Sequence, residues 1–301
     1  DLRMCAAVIR AGGLGNVHEV HVWTNRPTIW RQGIERPENS PPTPPHVHWD
    51  QWIGPAPYRP YDAAYHPVKW RGFWDFGTGA LGDMACHTFN MPFMALDLRD
   101  PVSVESQSSG HNRETYPSWS EIVYEFPAND SRGPVKFYWY AVGRRPSKEL
   151  FDGRTPSISG SLVIGDKAKM YSNNDFGSSG QILGVAGMEK DANGVPRPFT
   201  MPHDFDAIVN GLGLSPQEVE FERSPGHFEE FIQAIRGQRK QATSNFPDYA
   251  GPLTETILLG NLAIWSGKRV LWDAKNLEAT NAPELASIVR REYRTGYSLD
   301  R

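Results

Sequence analysis

Cysteine is nearly absent from this chain of 301 residues: only Cys5 and Cys86 occur. Two cysteines make no disulfide framework, and both read as reduced core residues in helices. Long hydrophobic runs are missing too. No stretch approaches the ~18 apolar residues of a membrane span, and no signal-peptide pattern opens the chain. Neither sign of charge is in excess: 31 Lys and Arg against 35 Asp and Glu leave a net charge of −4. That balance gives no bulk attraction to nucleic acid. The basic groups Arg144-Arg145, Arg236 to Lys240 and Arg290-Arg291 read as solvated faces. Neither a membrane nor a nucleic acid is expected as a partner.

Hydrophobic residues, 39% of the chain, support a real core, and one domain over residues 1–301 is the simplest partition. Ten Trp and 25 Pro suit long ordered loops around a ligand cleft, or simply loop-rich packing. Leu2 to Ala11 has helical spacing and ends at Gly12-Gly13. Val17 to Thr24 alternates as a strand. Asn25 to Pro67 is a long loop rich in Pro and aromatics, of the kind that is functional when ordered. Gly82 to Asp97 reads as a helix interrupted by Pro92. Strand signals follow at Pro101–Ser108, Ser120–Phe126, Val135–Val142, Ser159–Ile164 and Lys169–Ser172, with a turn at Gly165-Asp166. Asn173 to Ser224 is irregular with one helix-like piece. Helices are expected over Gly226–Gly237, Gly251–Gly267 and Pro283–Tyr293, and a short strand over Val270–Trp272. The order predicts an α+β fold: a large, mostly antiparallel open sheet with helices on one face. Val135 to Val142 is aromatic on both faces, which predicts a homodimer or homotetramer through the sheet.

Asp83 and His87 stand four apart, so on a helix a carboxylate and an imidazole share one face. Such a pair holds a hydroxyl and moves its proton; an unperturbed imidazole titrates at about 6.5. Aromatic and charged residues cluster nearby. Trp49, Trp70 and Trp74 can offer flat apolar faces to a ligand, and Lys69, Arg71 and Asp75 can bond its polar groups. Each Trp could equally be core. His46-x-His48, with His66 and the Asp83/His87 pair, has donors for a metal, but solvated histidines are the simpler account, and no metal is expected. Gly77-x-Gly79-x-x-Gly82 matches a dinucleotide fingerprint literally. Lys69 to Asp75 before it is charged and aromatic, not the buried strand that mechanism needs.

The run Lys69 to His87, with Gly15 to Pro27, Trp52 to Pro57, Tyr249 to Glu255 and Leu271 to Asp273, resembles the substrate domain of the Gfo/Idh/MocA oxidoreductases. It looks closest to the bacterial branch with a large C-terminal domain. The resemblance implies that an N-terminal Rossmann domain binds NAD or NADP and that Asp83 and His87 are catalytic. It also implies a catalytic Lys in a Glu-Lys-Pro motif of the nucleotide domain, and this chain has no such motif. The expectation is a fragment whose Rossmann domain lies upstream, rather than a natural stand-alone domain. The implied activity is oxidation of a sugar or cyclitol carbinol, with no redox turnover from this chain by itself. Glycoside cleavage through a transient keto-sugar and non-catalytic sugar binding are the alternatives. The expected compartment is the cytoplasm, with the periplasm open.

Overall fold

The computed structural model describes residues 1–26, 32–185 and 199–298. Helix α1 (Leu2–Arg10) leads to strand β1 (Val17–Thr24). In the described residues 32–78 that follow, the regular elements are the five-residue α2 (Trp49–Ile53) and a 3-10 turn, Lys69–Gly72. Next come α3 (Gly79–Thr88) and α4 (Asn90–Leu96). Then come strands β2 (Ser103–Ser108), β3 (Ser120–Phe126), β4 (Val135–Ala141), β5 (Gly160–Gly165) and β6 (Lys169–Ser172). The chain continues through β7 (Gln181–Leu183), β8 (Phe199–Thr200), α5 (Phe205–Gly211), α6 (His227–Ile235) and α7 (Gly251–Ser266). It closes with β9 (Val270–Asp273), β10 (Glu278–Ala279) and α8 (Ala286–Val289).

The fold is α+β. Among the described residues ten strands form one open sheet in the order β10-β9-β2-β3-β4-β1-β5-β6-β7-β8. All neighbours run antiparallel except β1 and β4, which pair in parallel, with Val20 opposite Phe137 and Val22 opposite Trp139. Alternation sets the faces: Ile122, Tyr124, Phe137 and Trp139 point into the core beneath the helices. The other face carries Tyr138 and Tyr140, both half-buried. There His21 stacks on Tyr138 with ring centroids 4.7 Å apart, and its ring nitrogens meet Glu19 at 2.6 Å and the Tyr140 hydroxyl at 3.0 Å. Trp23, Leu162 and Tyr171 share that face under Phe151, so part of it is covered.

Several expected elements shift. The helix expected from Gly82 begins at Gly79, and it breaks after Thr88 because a proline at position 92 clashes with the carbonyl four residues back. Two short strands, β7 and β8, lie in the stretch expected to be irregular. The terminal helix ends at Val289, well before Tyr293, because Arg291 and Arg294 reach away to Asp75 and Asp50. Cys5 is in the core as expected, but Cys86 is exposed, since it lies one residue beyond the buried Ala85 on α3. Helix α6 turns its apolar face outward: Phe228, Phe231, Ile232 and Ile235 are exposed, and Glu230 is its buried residue.

Glu230 explains that orientation. It ion-pairs with Arg3 of α1 and accepts from Ser224 at 2.6 Å and Thr243 at 2.9 Å. Burial alone would raise its carboxyl, but these donors outweigh burial and hold it at about 2. Its pKa is depressed on folding, so its stabilisation is complete above the ordinary value of 4.5 and is lost as pH falls towards about 2. Denaturation between pH 5 and pH 2 (roughly this window) is expected to show a steeper loss of stability for the native protein than for Glu230→Gln. Phe137→Ala in the core is expected to cost about 3–5 kcal/mol in urea unfolding, whereas Phe228→Ala on the exposed face changes stability by less than about 0.5 kcal/mol.

Candidate functional site

Helix α3 carries the pair. Its first turn is capped from a distance: the Ala80 N–H donates to Gln32 Oε1 at 2.7 Å. Gly79 enters the helix at φ +64°, and a side chain there would run into the Tyr116 ring. Gly77 lies against the backbone of Arg71, where a Cβ would not fit. These glycines are used for close packing.

Asp83 is half-buried and His87 is exposed, one turn apart. Asp83 Oδ1 accepts from Arg71 Nε at 3.1 Å. His87 meets Phe176 edge-on, at 5.8 Å between ring centroids. Arg71 also lies over the Trp70 ring, 4.9 Å from its centroid. The 3-10 turn therefore delivers Trp70 and Arg71 together, and Arg71 fixes the carboxylate. Lys69 opens the same turn and is half-buried. A cavity of about 380 Å³ lies beside this turn, lined by Trp52, Trp70, Asp75, Phe76, Arg291 and Tyr293.

Asp75 belongs to an ionic chain. Arg59, only 4% exposed, pairs with both Asp75 and Glu114. Glu114 also binds Arg36 at 2.7 Å, and Asp75 binds Arg291 at 2.7 Å. Arg59, Glu114 and Arg291 are far apart in sequence, and no spacing marks them. Trp74 stacks on Tyr116 at 3.8 Å and donates its indole N–H to the Thr115 carbonyl at 3.2 Å. Tyr116 is fully enclosed, donates to the Gly77 carbonyl at 3.0 Å, and has its phenol pushed up by burial. Trp49 is a core residue: it is 6% exposed, donates to the Arg59 carbonyl at 2.8 Å and stacks on Trp52. Its rings face protein on several sides, so it offers no free face here. The structure thus gathers Asp83, His87, Arg71 and Trp70 on one surface. Asp75 borders the cavity as an ion-paired wall, Trp74 is packed behind, and Trp49 lies beneath.

His46 and His48 are exposed, and His66 meets the Trp52 ring edge-on. Among the described residues no group of three His, Cys, Asp or Glu could hold a metal ion, and no helix is long and apolar enough to cross a membrane.

The two thiols test the packing of α1 and α3. Burial raises the Cys5 thiol to about 11, and burial together with the Asp83 charge raises that of Cys86. A thiol-specific reagent at neutral pH is expected to label Cys86 slowly and Cys5 only after unfolding. Equal reaction of both in the folded protein would mean that α1 is not packed as described.

Residues 4–131 match the family model described as "Oxidoreductase family, C-terminal alpha/beta domain", of the Gfo/Idh/MocA group. No curated protein matches the chain. Among solved structures, the chain is similar to the WlbA dehydrogenase from Bordetella pertussis in complex with NADH and UDP-GlcNAcA, at 13% identity and a TM-score of 0.46, covering 89% of this chain and 59% of that one. It is also similar to the aldose-aldose oxidoreductase from Caulobacter crescentus complexed with glycerol, at 14% identity and a TM-score of 0.44, covering 89% and 59%. A levoglucosan dehydrogenase in complex with NADH and L-sorbose is similar at 14% identity and a TM-score of 0.46, covering 90% and 64%. The chain spans about three fifths of the length of these structures. Over residues 4–131, the stretch that contains Asp83 and His87, the chain is similar to the C-terminal domain of the Gfo/Idh/MocA oxidoreductases.

Proposed function

We propose that this chain is the substrate-binding and proton-transfer part of an NAD(P)-dependent oxidoreductase acting on a sugar or cyclitol. The observation that carries the reading is the Asp83/His87 pair on one face of α3, reachable from solvent and flanked by Arg71 and Trp70. The family match over the same residues supports it.

In this reading a carbinol lies against the Trp70 ring, whose flat apolar face suits the C–H face of a pyranose. Its hydroxyl bonds to His87, which takes the proton on oxidation and returns it on reduction. Asp83, held by Arg71, bonds a neighbouring hydroxyl and fixes the register of the ring. The described glycine run does not fit a dinucleotide: a side chain at Gly79 would meet Tyr116, Gly77 is pressed against Arg71, and α3 follows a 3-10 turn rather than a buried strand. In this reading the nicotinamide is not held at these glycines. The half-buried Tyr138 and Tyr140 on the outer sheet face are proposed to pair with a second copy.

With the nucleotide-binding domain and NAD(P) supplied, Asp83→Asn and His87→Gln are each expected to lower kcat about 10²–10⁴-fold while the melting temperature holds. Full turnover by His87→Gln would sink the proposal. Trp70→Ala is expected to weaken sugar binding about tenfold, equivalent to ~1.4 kcal/mol, by isothermal titration calorimetry. Light scattering at micromolar concentration is expected to report a dimer or tetramer, and a monomer would exclude pairing through the sheet.

A further inference from the structure

An exposed imidazole turns about two side-chain torsions unless something stops it. A base that takes a proton from a hydroxyl must keep one ring nitrogen aimed at it, and a third group commonly does the aiming. Asp83, one turn from His87, does not serve: its carboxylate is engaged by Arg71 Nε at 3.1 Å. Among the described residues no hydrogen bond or ion pair reaches the His87 ring. What meets it is the Phe176 ring, with centroids 5.8 Å apart and planes at 82°. Edge-to-face contact at that distance is a favoured arrangement of two rings.

Phe176 is itself 62% exposed, so its burial contributes little to the fold. The connection between β6 and β7 that carries it is nonetheless closely fastened. The Phe176 N–H donates to Asn174 Oδ1 at 2.9 Å, and Asn174 Nδ2 donates to the Ser178 carbonyl at 3.0 Å. Ser172 Oγ donates to the same carbonyl at 2.8 Å. On one side of the ring Asp175, 8% exposed, pairs at 3.0 Å with Arg26, just beyond β1. On the other side Gly177 lies at φ +65° against Met91 of α4, where a Cβ would come within 2.5 Å of the methionine. Helix α4 follows α3 directly. The loop is therefore fixed relative to the helix that carries His87, and the exposed ring is held where the imidazole meets it.

We propose that Phe176 is a positioning residue for His87. Its ring blocks one side of the imidazole, so that a ring nitrogen stays directed at the hydroxyl beside Asp83. The proposal rests on the proton-transfer reading above and adds the group that orients the base. Phe176 acts through His87 and carries no proton itself.

Proton–carbon spectra of the chain with labelled histidine test the contact without substrate. Among the nine histidines, His87 is identified by the signal lost in His87→Gln. Phe176→Ala is expected to move the His87 signal, leave the others in place and keep the melting temperature, since the side chain it removes is mostly exposed. Phe176→Tyr, which keeps the ring, is expected to keep the signal. With the nucleotide-binding domain and NAD(P) supplied, Phe176→Ala is expected to lower kcat about 10–10²-fold with little change in KM, and Phe176→Tyr to recover most of that loss. An unmoved His87 signal in Phe176→Ala would overturn the contact. A moved signal with unchanged kcat, or a loss that Phe176→Tyr does not recover, would overturn the positioning role alone. Full turnover by His87→Gln is a separate failure: it removes the proton-transfer reading, and the positioning role falls with it.

Discussion

One buried cation holds the irregular part of this protein in place. Residues 32–78 contain one five-residue helix and a 3-10 turn, too little regular structure to fix their own path. Arg59 lies within that segment, almost fully enclosed, between Glu114 and Asp75. A guanidinium withdrawn from water must be paired, and removing one partner leaves a buried charge that costs about 3–5 kcal/mol. The two carboxylates come from different places: Glu114 from the connection into β3, and Asp75 from the approach to α3. Pairing both at once fastens the segment to the sheet side and to the helix side together. Arg291 then joins Asp75 from the chain's last irregular stretch, and Arg294 reaches Asp50.

The candidate site inherits its geometry from that clamp. Asp75 is four residues before Gly79, so the position of α3 relative to the Lys69–Gly72 turn follows from where Arg59 holds Asp75. The turn in turn brings Arg71 onto Asp83. The antiparallel bridge between Phe73 and Thr115 adds a second tie at the same level. With Tyr116 filling the space above Gly79, the helix has one entry path. Its face bearing Asp83 and His87 looks away from α7, while the face bearing Leu81 and Ala85 closes the core.

The strands were legible from residue pattern because half-buried strands alternate. β3 and β6 have the expected limits, and β1 matches its run from Val17 to Thr24. Helix periodicity was equally readable in α6, yet period alone says that a helix has an apolar face, not what covers it. There the polar face is the one drawn inward, by the Arg3–Glu230 pair across 227 residues of sequence. Helix α3 starts three residues before the position its local pattern suggests, because its caps are not local: Gln32 closes the first turn and Tyr116 demands the glycine. Trp49, Trp70 and Trp74 look alike in sequence and have different surroundings in the fold, because each finds different neighbours.

The order of residues settled the class of fold, the alternation of the strands, and the four-residue spacing that sets a carboxylate and an imidazole on one helical face. These depend on contacts within a few residues or on a repeating period. Tertiary structure decided which side of α3 that face looks toward, which tryptophans are wall and which are core, and where the long loop runs. Those outcomes rest on ion pairs and ring contacts between residues tens to hundreds of positions apart, such as Arg59 with Glu114 and Asp75 with Arg291. No local pattern encodes such pairings; they exist only once burial makes an unpaired charge too costly to leave.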